Sequence, residues 1–113
     1  MSKTEICLLY LQRYAEKNLP AVAEMFADNI VLRDWKIIVR GKDLAVAETQ
    51  KNFISVDSIT IEPLFVHEAG DTVVAELKIL INNIEELYVV DIITLDSDGK
   101  IKSIRAYLGR GED

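Results

Sequence analysis

The sequence has few of the residues that build disulfides and metal sites. It contains one cysteine, Cys7, and one histidine, His67, among 113 residues. A single cysteine cannot form a disulfide within the chain, and a lone histidine without further histidines or cysteines does not make a zinc-type ligand set. We therefore expect no metal and no other cofactor. Cys7 should be a small buried hydrophobic residue, and His67, next to a turn, should be exposed.

Basic residues are also in the minority. Lys and Arg together number 13, against 19 Asp and Glu, and the net charge is −6. Nucleic acids and anionic membranes bind clustered Lys and Arg, so neither is an expected partner. No apolar run has the length of a membrane span, and the first residues lack the pattern of a signal peptide. These absences predict a soluble cytoplasmic protein.

The chain does have enough hydrophobic residues, 50 %, for one folded core, and its length suits one domain, residues 1–113. Apolar residues with helical spacing predict helices at Thr4–Lys17, Ala21–Ala27 and Lys42–Phe53. Alternation with period two predicts strands at Ile30–Trp35, Val56–His67, Thr72–Ile81, Leu87–Leu95 and Ile101–Leu108. Lys36–Arg40 would be irregular strand or loop, and Gly109–Asp113 a frayed polar end. Pro63 should lie on an edge strand or at a bulge.

Helices thus come first and a series of long strands follows. The last two strands meet at Asp96–Gly99, whose Asp-Gly pair is a strong hairpin signal. This order is typical of an α+β fold, in which three helices pack on one face of a curved antiparallel sheet and form a cone. The other face of the sheet is also largely apolar, which predicts a homodimer that covers it.

An aspartate interrupts the apolar face of one predicted strand. Alternation places Asp91 on the same face as Val89, Ile93 and Leu95. An ionised carboxylate without partners is costly to bury, so Asp91 should be neutral, paired or functional. The simpler alternative is a buried acid that a backbone group or a tyrosine satisfies.

Asp34 and Tyr10 have similar surroundings in the sequence. Asp34 shares a strand face with Ile30 and Leu32, and Tyr10 lies on the apolar side of the first helix. If that helix crosses the concave face of the sheet, both can join Asp91 in one pocket. One ionised base and two hydrogen-bond donors suit proton transfer beside a carbonyl, with the more desolvated acid kept protonated as a donor.

Both residues also have ordinary structural interpretations. Asp34 could be a solvent-facing acid that pairs with Arg33 or Lys36. Tyr10 could be a core tyrosine whose hydroxyl reaches the surface.

Two stretches resemble the bacterial Δ5-3-ketosteroid isomerases, which belong to a superfamily of nuclear-transport-factor-like and polyketide-cyclase-like (SnoaL-like) domains. Tyr10–Asp34 is similar to their helix–helix–strand opening, and Val89–Leu108 to their last two strands. The resemblance covers nearly the whole chain and implies a cone-shaped, cystatin-like α+β fold. It also implies that Asp34 is the general base, Asp91 the protonated oxyanion-hole acid and Tyr10 the oxyanion-hole tyrosine, with Tyr14 a weaker candidate for the last role.

The sequence also departs from these enzymes. Trp35 follows the base where a proline is typical, and Leu108 ends the last strand where some members have a tryptophan. Glu48 and Thr49 occupy the region where some members carry a second, supporting tyrosine. The residues expected to contact substrate are Tyr14, Phe26, Trp35, Ile104, Ala106 and Leu108.

The first functional hypothesis is therefore a cofactor-free isomerase that shifts a double bond next to a ketone in a small apolar substrate. A second is a non-catalytic small-molecule-binding domain of the same fold, and a third is a cyclase or hydrolase-like enzyme that uses Asp34 on another substrate. Epoxide hydrolases of this fold use an Asp-Arg-Asp set, but alternation points Arg33 away from Asp34. Of these hypotheses, the cofactor-free isomerase is favoured.

Overall fold

The computed structural model describes residues 1–111, within which three helices cover one face of a six-stranded sheet. The helices are α1 (Lys3–Ala15), α2 (Leu19–Met25) and α3 (Lys42–Ser55). The strands are β1 (Phe26–Arg33), β2 (Ile38–Arg40), β3 (Ile59–Ala69), β4 (Thr72–Ile81), β5 (Glu85–Leu95) and β6 (Ile101–Leu108). Glu112 and Asp113, part of the end predicted to fray, lie outside the described residues.

The sheet is curved and mixed, with the strand order β2-β1-β6-β5-β4-β3. The β3–β6 series is antiparallel, as predicted. β1 runs parallel to β6, with Leu32 opposite Ile104, so the expectation of an entirely antiparallel sheet is wrong at this pair. The reason is that β1 and β6 are far apart in the chain, and no hairpin turn sets their relative direction.

Local signals fix where the first two helices begin, and strand pairing fixes where the second one ends. Ser2 and Glu5 form a capping box, in which the Ser2 hydroxyl accepts the Glu5 N–H at 3.0 Å and the Glu5 carboxylate accepts the Ser2 N–H at 2.9 Å. Asn18 caps α2 by accepting the Ala21 N–H at 3.2 Å. α2 ends at Met25, two residues before the predicted end, because Phe26 already pairs with β6.

The predicted turn and edge features are confirmed. The Asp96 carboxylate accepts the N–H groups of Asp98 and Lys100, both at 2.9 Å, and Gly99 has a φ of +79°, which favours glycine. Pro63 lies on the edge strand β3, where the register with β4 shifts between Pro63 and Phe65. An edge position with a bulge lets the sheet accommodate a residue without an N–H.

The hydrophobic core fills the space between α1 and one half of the sheet. Ile93, Leu95 and Ile101 are at most 2 % exposed there. Cys7 on α1 is fully buried among them, as expected, and burial raises the pKa of its thiol to about 12. His67 is exposed, also as expected. Among the described helices, none is long and apolar enough to cross a membrane.

Truncation of Ile93 tests how much the fold depends on this half of the sheet. Ile93→Ala should lower the free energy of unfolding by about 2–5 kcal/mol, because a fully buried side chain is replaced by a cavity. The same change at Ile54, which is 77 % exposed on α3, should cost less than about 0.5 kcal/mol. Urea unfolding measures both, and equal losses would contradict the described core.

Candidate active site

A cavity of about 300 Å³ lies between the helices and the central strands. This volume is at the lower end of the range for small-molecule sites, about 300–1,000 Å³. Most of its lining residues are aliphatic or aromatic. The side chains that bring polar groups to it are Tyr10, Tyr14, Asp34, Lys36, Glu48, Thr49, Asn52, Ser55, Glu85 and Asp91.

Strand β5 places Asp91 in the wall of this cavity. Its register partners are Ala75 on β4 and Ala106 on β6, two small residues that leave room around the carboxyl. Asp91 is 9 % exposed. Burial raises the pKa of its carboxyl from 3.8 to about 7, since the charged form loses its hydration.

The Asp91 carboxyl has no hydrogen-bond partner within residues 1–111. In the same part of the chain no fully buried side-chain oxygen or nitrogen lacks a partner, so the carboxyl oxygens must reach the open space of the cavity. The described structure therefore does not satisfy Asp91 with a backbone group or a tyrosine, which was the simpler interpretation of the sequence.

Two tyrosines on successive turns of α1 line the cavity, Tyr10 and Tyr14, with ring centroids 5.9 Å apart. Tyr10 is 5 % exposed. Its pKa lies well above 10, first because of burial and then because Tyr14 and Asp91 are close. A phenol with such a pKa stays protonated at neutral pH, so Tyr10 can donate a hydrogen bond into the cavity.

Asp34 follows β1 in a tight turn at the cavity. Its Oδ1 accepts the N–H groups of Lys36 at 2.7 Å and Ile37 at 2.9 Å, and its own N–H donates to the Ile37 carbonyl at 3.0 Å. Within residues 1–111 its Oδ2 has no partner, and it forms no ion pair with Lys36 or Arg33. Two backbone donors thus orient the carboxylate and leave one oxygen for a ligand.

Arg33 takes no part in the cavity. Its Nη2 donates to the hydroxyl of Tyr107, and its guanidinium lies 5.4 Å from the centre of the Tyr107 ring. Tyr107 is 48 % exposed on β6, so this pair belongs to the outer face of the sheet. An Asp-Arg-Asp set with Arg33 between two carboxylates is therefore not assembled here.

Four of the six residues expected to contact substrate line the cavity, namely Tyr14, Trp35, Ile104 and Ala106. Phe26 does not, because β1 begins at this residue and carries it into the core, where its ring packs 6.3 Å from that of Tyr10. Leu108 does not either. It is the last residue of β6 and 47 % exposed, in a separate depression beside Ile84 and Tyr88.

The side of α3 that carries Glu48 forms one wall of the cavity, and its residues Asn52 and Ser55 were not predicted. These residues recur with helical spacing, but a polar stripe on a helix usually indicates a solvent-facing side. Of this wall, Asn52 makes the most informative contact, because its Nδ2 donates to the Tyr14 hydroxyl at 3.3 Å. The hydroxyl of the neighbouring Thr49 donates a hydrogen bond to the Ala45 carbonyl at 2.8 Å.

Several solved structures share this fold over most of their length. The epoxide hydrolase/cyclase-like enzyme SalBIII, which has a role in pyran ring formation in the polyether salinomycin, is 25 % identical to this chain. The two structures match with a TM-score of 0.83 over 95 % of this chain and 90 % of that one. A candidate ketosteroid isomerase from Kribbella flavida is 10 % identical to this chain, with a TM-score of 0.84. The match covers 98 % of this chain and 80 % of that one. An NTF2-like protein of unknown function from Cytophaga hutchinsonii is 16 % identical to this chain, with a TM-score of 0.81. The match covers 96 % of this chain and 91 % of that one.

These similarities show an NTF2-like α+β fold, as predicted, and leave the reaction open. No curated protein sequence matches the chain. The SnoaL-like domain family matches residues 9–104, a span that contains Tyr10, Asp34 and Asp91. That span is most of the 113 residues, and the chain therefore belongs to the family of SnoaL-like domains.

Proposed function

We propose that this protein is an isomerase of the ketosteroid-isomerase type, which moves a double bond next to a ketone without a cofactor. One observation carries the proposal: Asp34, Asp91 and Tyr10, far apart in the sequence, line the same cavity. A carboxylate with a free oxygen and two neutral O–H donors are the groups that such a proton transfer needs.

The proposed reaction has two proton transfers. The free oxygen of ionised Asp34 takes a proton from the carbon between the ketone and the double bond. The electron pair moves onto the carbonyl oxygen, and the resulting dienolate oxygen accepts hydrogen bonds from Tyr10 and protonated Asp91. Asp34 then returns the proton to the far carbon of the former double bond. The product is the conjugated isomer, with no change in composition.

The environments of the two aspartates support this division of roles. Asp91 is buried and has no hydrogen-bond partner in the described part of the chain, which favours its neutral, donating form. Asp34 accepts two backbone N–H groups through Oδ1, an arrangement that holds a carboxylate as an acceptor. Environment thus separates an acid from a base, a pattern found at many proton-transfer sites.

Epoxide chemistry of the kind described for SalBIII is supported less well. Epoxide hydrolases of this fold use an arginine between two aspartates. Arg33, the arginine beside Asp34, is bonded to Tyr107 on the outer face instead. A cavity that binds a ligand without turning it over is the remaining alternative, and the assay below separates it from the isomerase.

We also propose that two copies pair through the outer face of the sheet. Alternation from the inward-facing Asp91 and Ile93 places Val90 and Ile92 on that face. Phe65 on β3 is 62 % exposed and Tyr107 on β6 is 48 % exposed. Aromatic side chains of this kind are enriched in protein interfaces.

The reaction is tested with cyclohex-3-enone, whose conversion to the conjugated ketone raises its ultraviolet absorbance. Asp34→Asn should lower kcat by about 10²–10⁴-fold, because the general base is lost. Asp28→Asn should leave kcat unchanged, since Asp28 is exposed and does not line this cavity. Wild-type protein without turnover, or Asp34→Asn protein with normal turnover, would contradict the isomerase.

The pH dependence of kcat/KM tests the state of Asp91, because this constant reports the pKa values of the free protein. The Asp91 pKa of about 7 means that the neutral donor predominates below pH 7 and is lost as the pH rises. We expect kcat/KM to fall up to tenfold per pH unit above about 7. Asp91→Asn keeps an uncharged donor there, so its kcat/KM should be lower at pH 6 but should not decline in this range. An equal decline in both proteins would exclude Asp91 as its origin.

Dimerisation is tested by light scattering after size-exclusion chromatography. Phe65→Glu should shift the protein from dimer to monomer, because a charge would be buried without a partner in the interface. Ile84→Glu adds the same charge at a position that is 85 % exposed in the β4–β5 turn, and should leave the dimer intact. A monomeric wild-type protein would refute the pairing.

A further inference from the structure

Helix α3 places the side-chain amide of Asn52 next to Tyr14, the second tyrosine that lines the cavity. Asn52 Nδ2 donates to the hydroxyl oxygen of Tyr14 at 3.3 Å. A phenol oxygen that accepts a hydrogen bond still has its own proton to donate. Within residues 1–111 no other hydrogen bond of the Tyr14 hydroxyl is formed, so its proton is available to a ligand in the cavity.

The Tyr14 ring is held in place on two sides. The ring of Phe53 contacts it edge-on, with centroids 4.8 Å apart, and the Tyr10 ring lies 5.9 Å away. Burial raises the pKa of Tyr14, and the hydrogen bond from Asn52 opposes this rise. Tyr14 is therefore a protonated phenol at neutral pH, and the bond that it accepts strengthens the one that it can donate.

The two tyrosine donors are spaced by the helix that carries them. Residues four apart lie on the same side of a helix, about 5–6 Å from each other, which agrees with the distance between the rings. A ligand whose first oxygen lies at Tyr10 and Asp91 meets Tyr14 about one helical turn away. The two oxygens of a para-disubstituted six-membered ring have a comparable separation.

We propose that Tyr14 determines substrate specificity by donating to a second acceptor oxygen, an ether, hydroxyl or carbonyl, about one ring's width from the reacting ketone. Tyr14 touches the substrate, whereas Asn52 is a positioning residue that acts through Tyr14. The inference rests on the proposed function only in placing the first oxygen at Tyr10 and Asp91.

The hydrogen bond from Tyr14 to a second ligand oxygen is tested with two phenols of nearly equal shape and acidity. These are 4-methoxyphenol and 4-ethylphenol. The hydroxyl of each can occupy the position of the enolate oxygen, and only the methoxy compound has a second acceptor. The two compounds differ in hydrophobicity, so the ratio of their affinities, measured by isothermal titration calorimetry, is compared between wild-type and variant protein. Tyr14→Phe should shift this ratio about two- to tenfold towards 4-ethylphenol, the change expected for the loss of one neutral hydrogen bond.

Asn52→Asp is the sharper variant, because it keeps the tyrosine and reverses the bond. A carboxylate can only accept, so it should accept a hydrogen bond from the Tyr14 hydroxyl and shift the affinity ratio towards 4-ethylphenol, as Tyr14→Phe does. Gln50→Glu is the matched control. It adds the same charge at an exposed position of α3 that does not line the cavity, and it should keep the wild-type ratio.

The proposal is overturned if wild-type protein fails to bind 4-methoxyphenol, or if Tyr14→Phe and Asn52→Asp leave the ratio of the two affinities unchanged. Failure of the proposed function gives a different result. If cyclohex-3-enone is not turned over, a ratio that shifts in both variants still supports the hydrogen bond from Tyr14, in a site that binds its ligand without converting it. Turnover with a ratio that neither variant shifts refutes the hydrogen bond from Tyr14 and leaves the isomerase standing.

Discussion

The site depends on a buried carboxyl group that forms no hydrogen bond within residues 1–111. Asp91 lies in the wall of the cavity between two alanines, and burial raises its pKa to about 7. The charged form of such a group is unfavourable by several kcal/mol in a poorly hydrated site, so the neutral acid predominates below pH 7. The rigid core around Ile93 and Leu95, on the same strand, fixes where this acid points.

The other polar groups of the cavity complement that neutral acid. Tyr10 and Tyr14 are phenols whose burial keeps them protonated, and both can donate to an oxygen. Asp34 differs, since backbone N–H groups orient one of its oxygens and leave the other free. The cavity therefore combines one basic oxygen with three donors. In the proposed reaction Tyr10 and Asp91 donate to the enolate oxygen, and Tyr14 donates to a second oxygen of the ligand.

Much of this arrangement could be predicted from local sequence patterns. Alternation in β5 identified the inward face of Asp91, and the Asp96–Gly99 turn fixed the hairpin to β6, because both are short-range features. The parallel pairing of β1 with β6 could not be predicted in this way, since it joins strands that are distant in the chain. Phe26 was wrongly assigned to the second helix and to the substrate contacts, because the chain changes from helix to strand after Met25. Asn52 was missed because a polar helical stripe usually faces solvent.

The protonation state of Asp91 is the central claim, and a carbon-13 NMR titration of its side-chain carboxyl tests it most directly. Asp91→Asn identifies the resonance by its loss. We expect the carboxyl to titrate near pH 7, well above its ordinary pKa of 3.8, because it is buried, and to be largely protonated at pH 6. A titration near pH 4 would mean that Asp91 is hydrated and ionised, and would contradict its role as the neutral donor of the cavity.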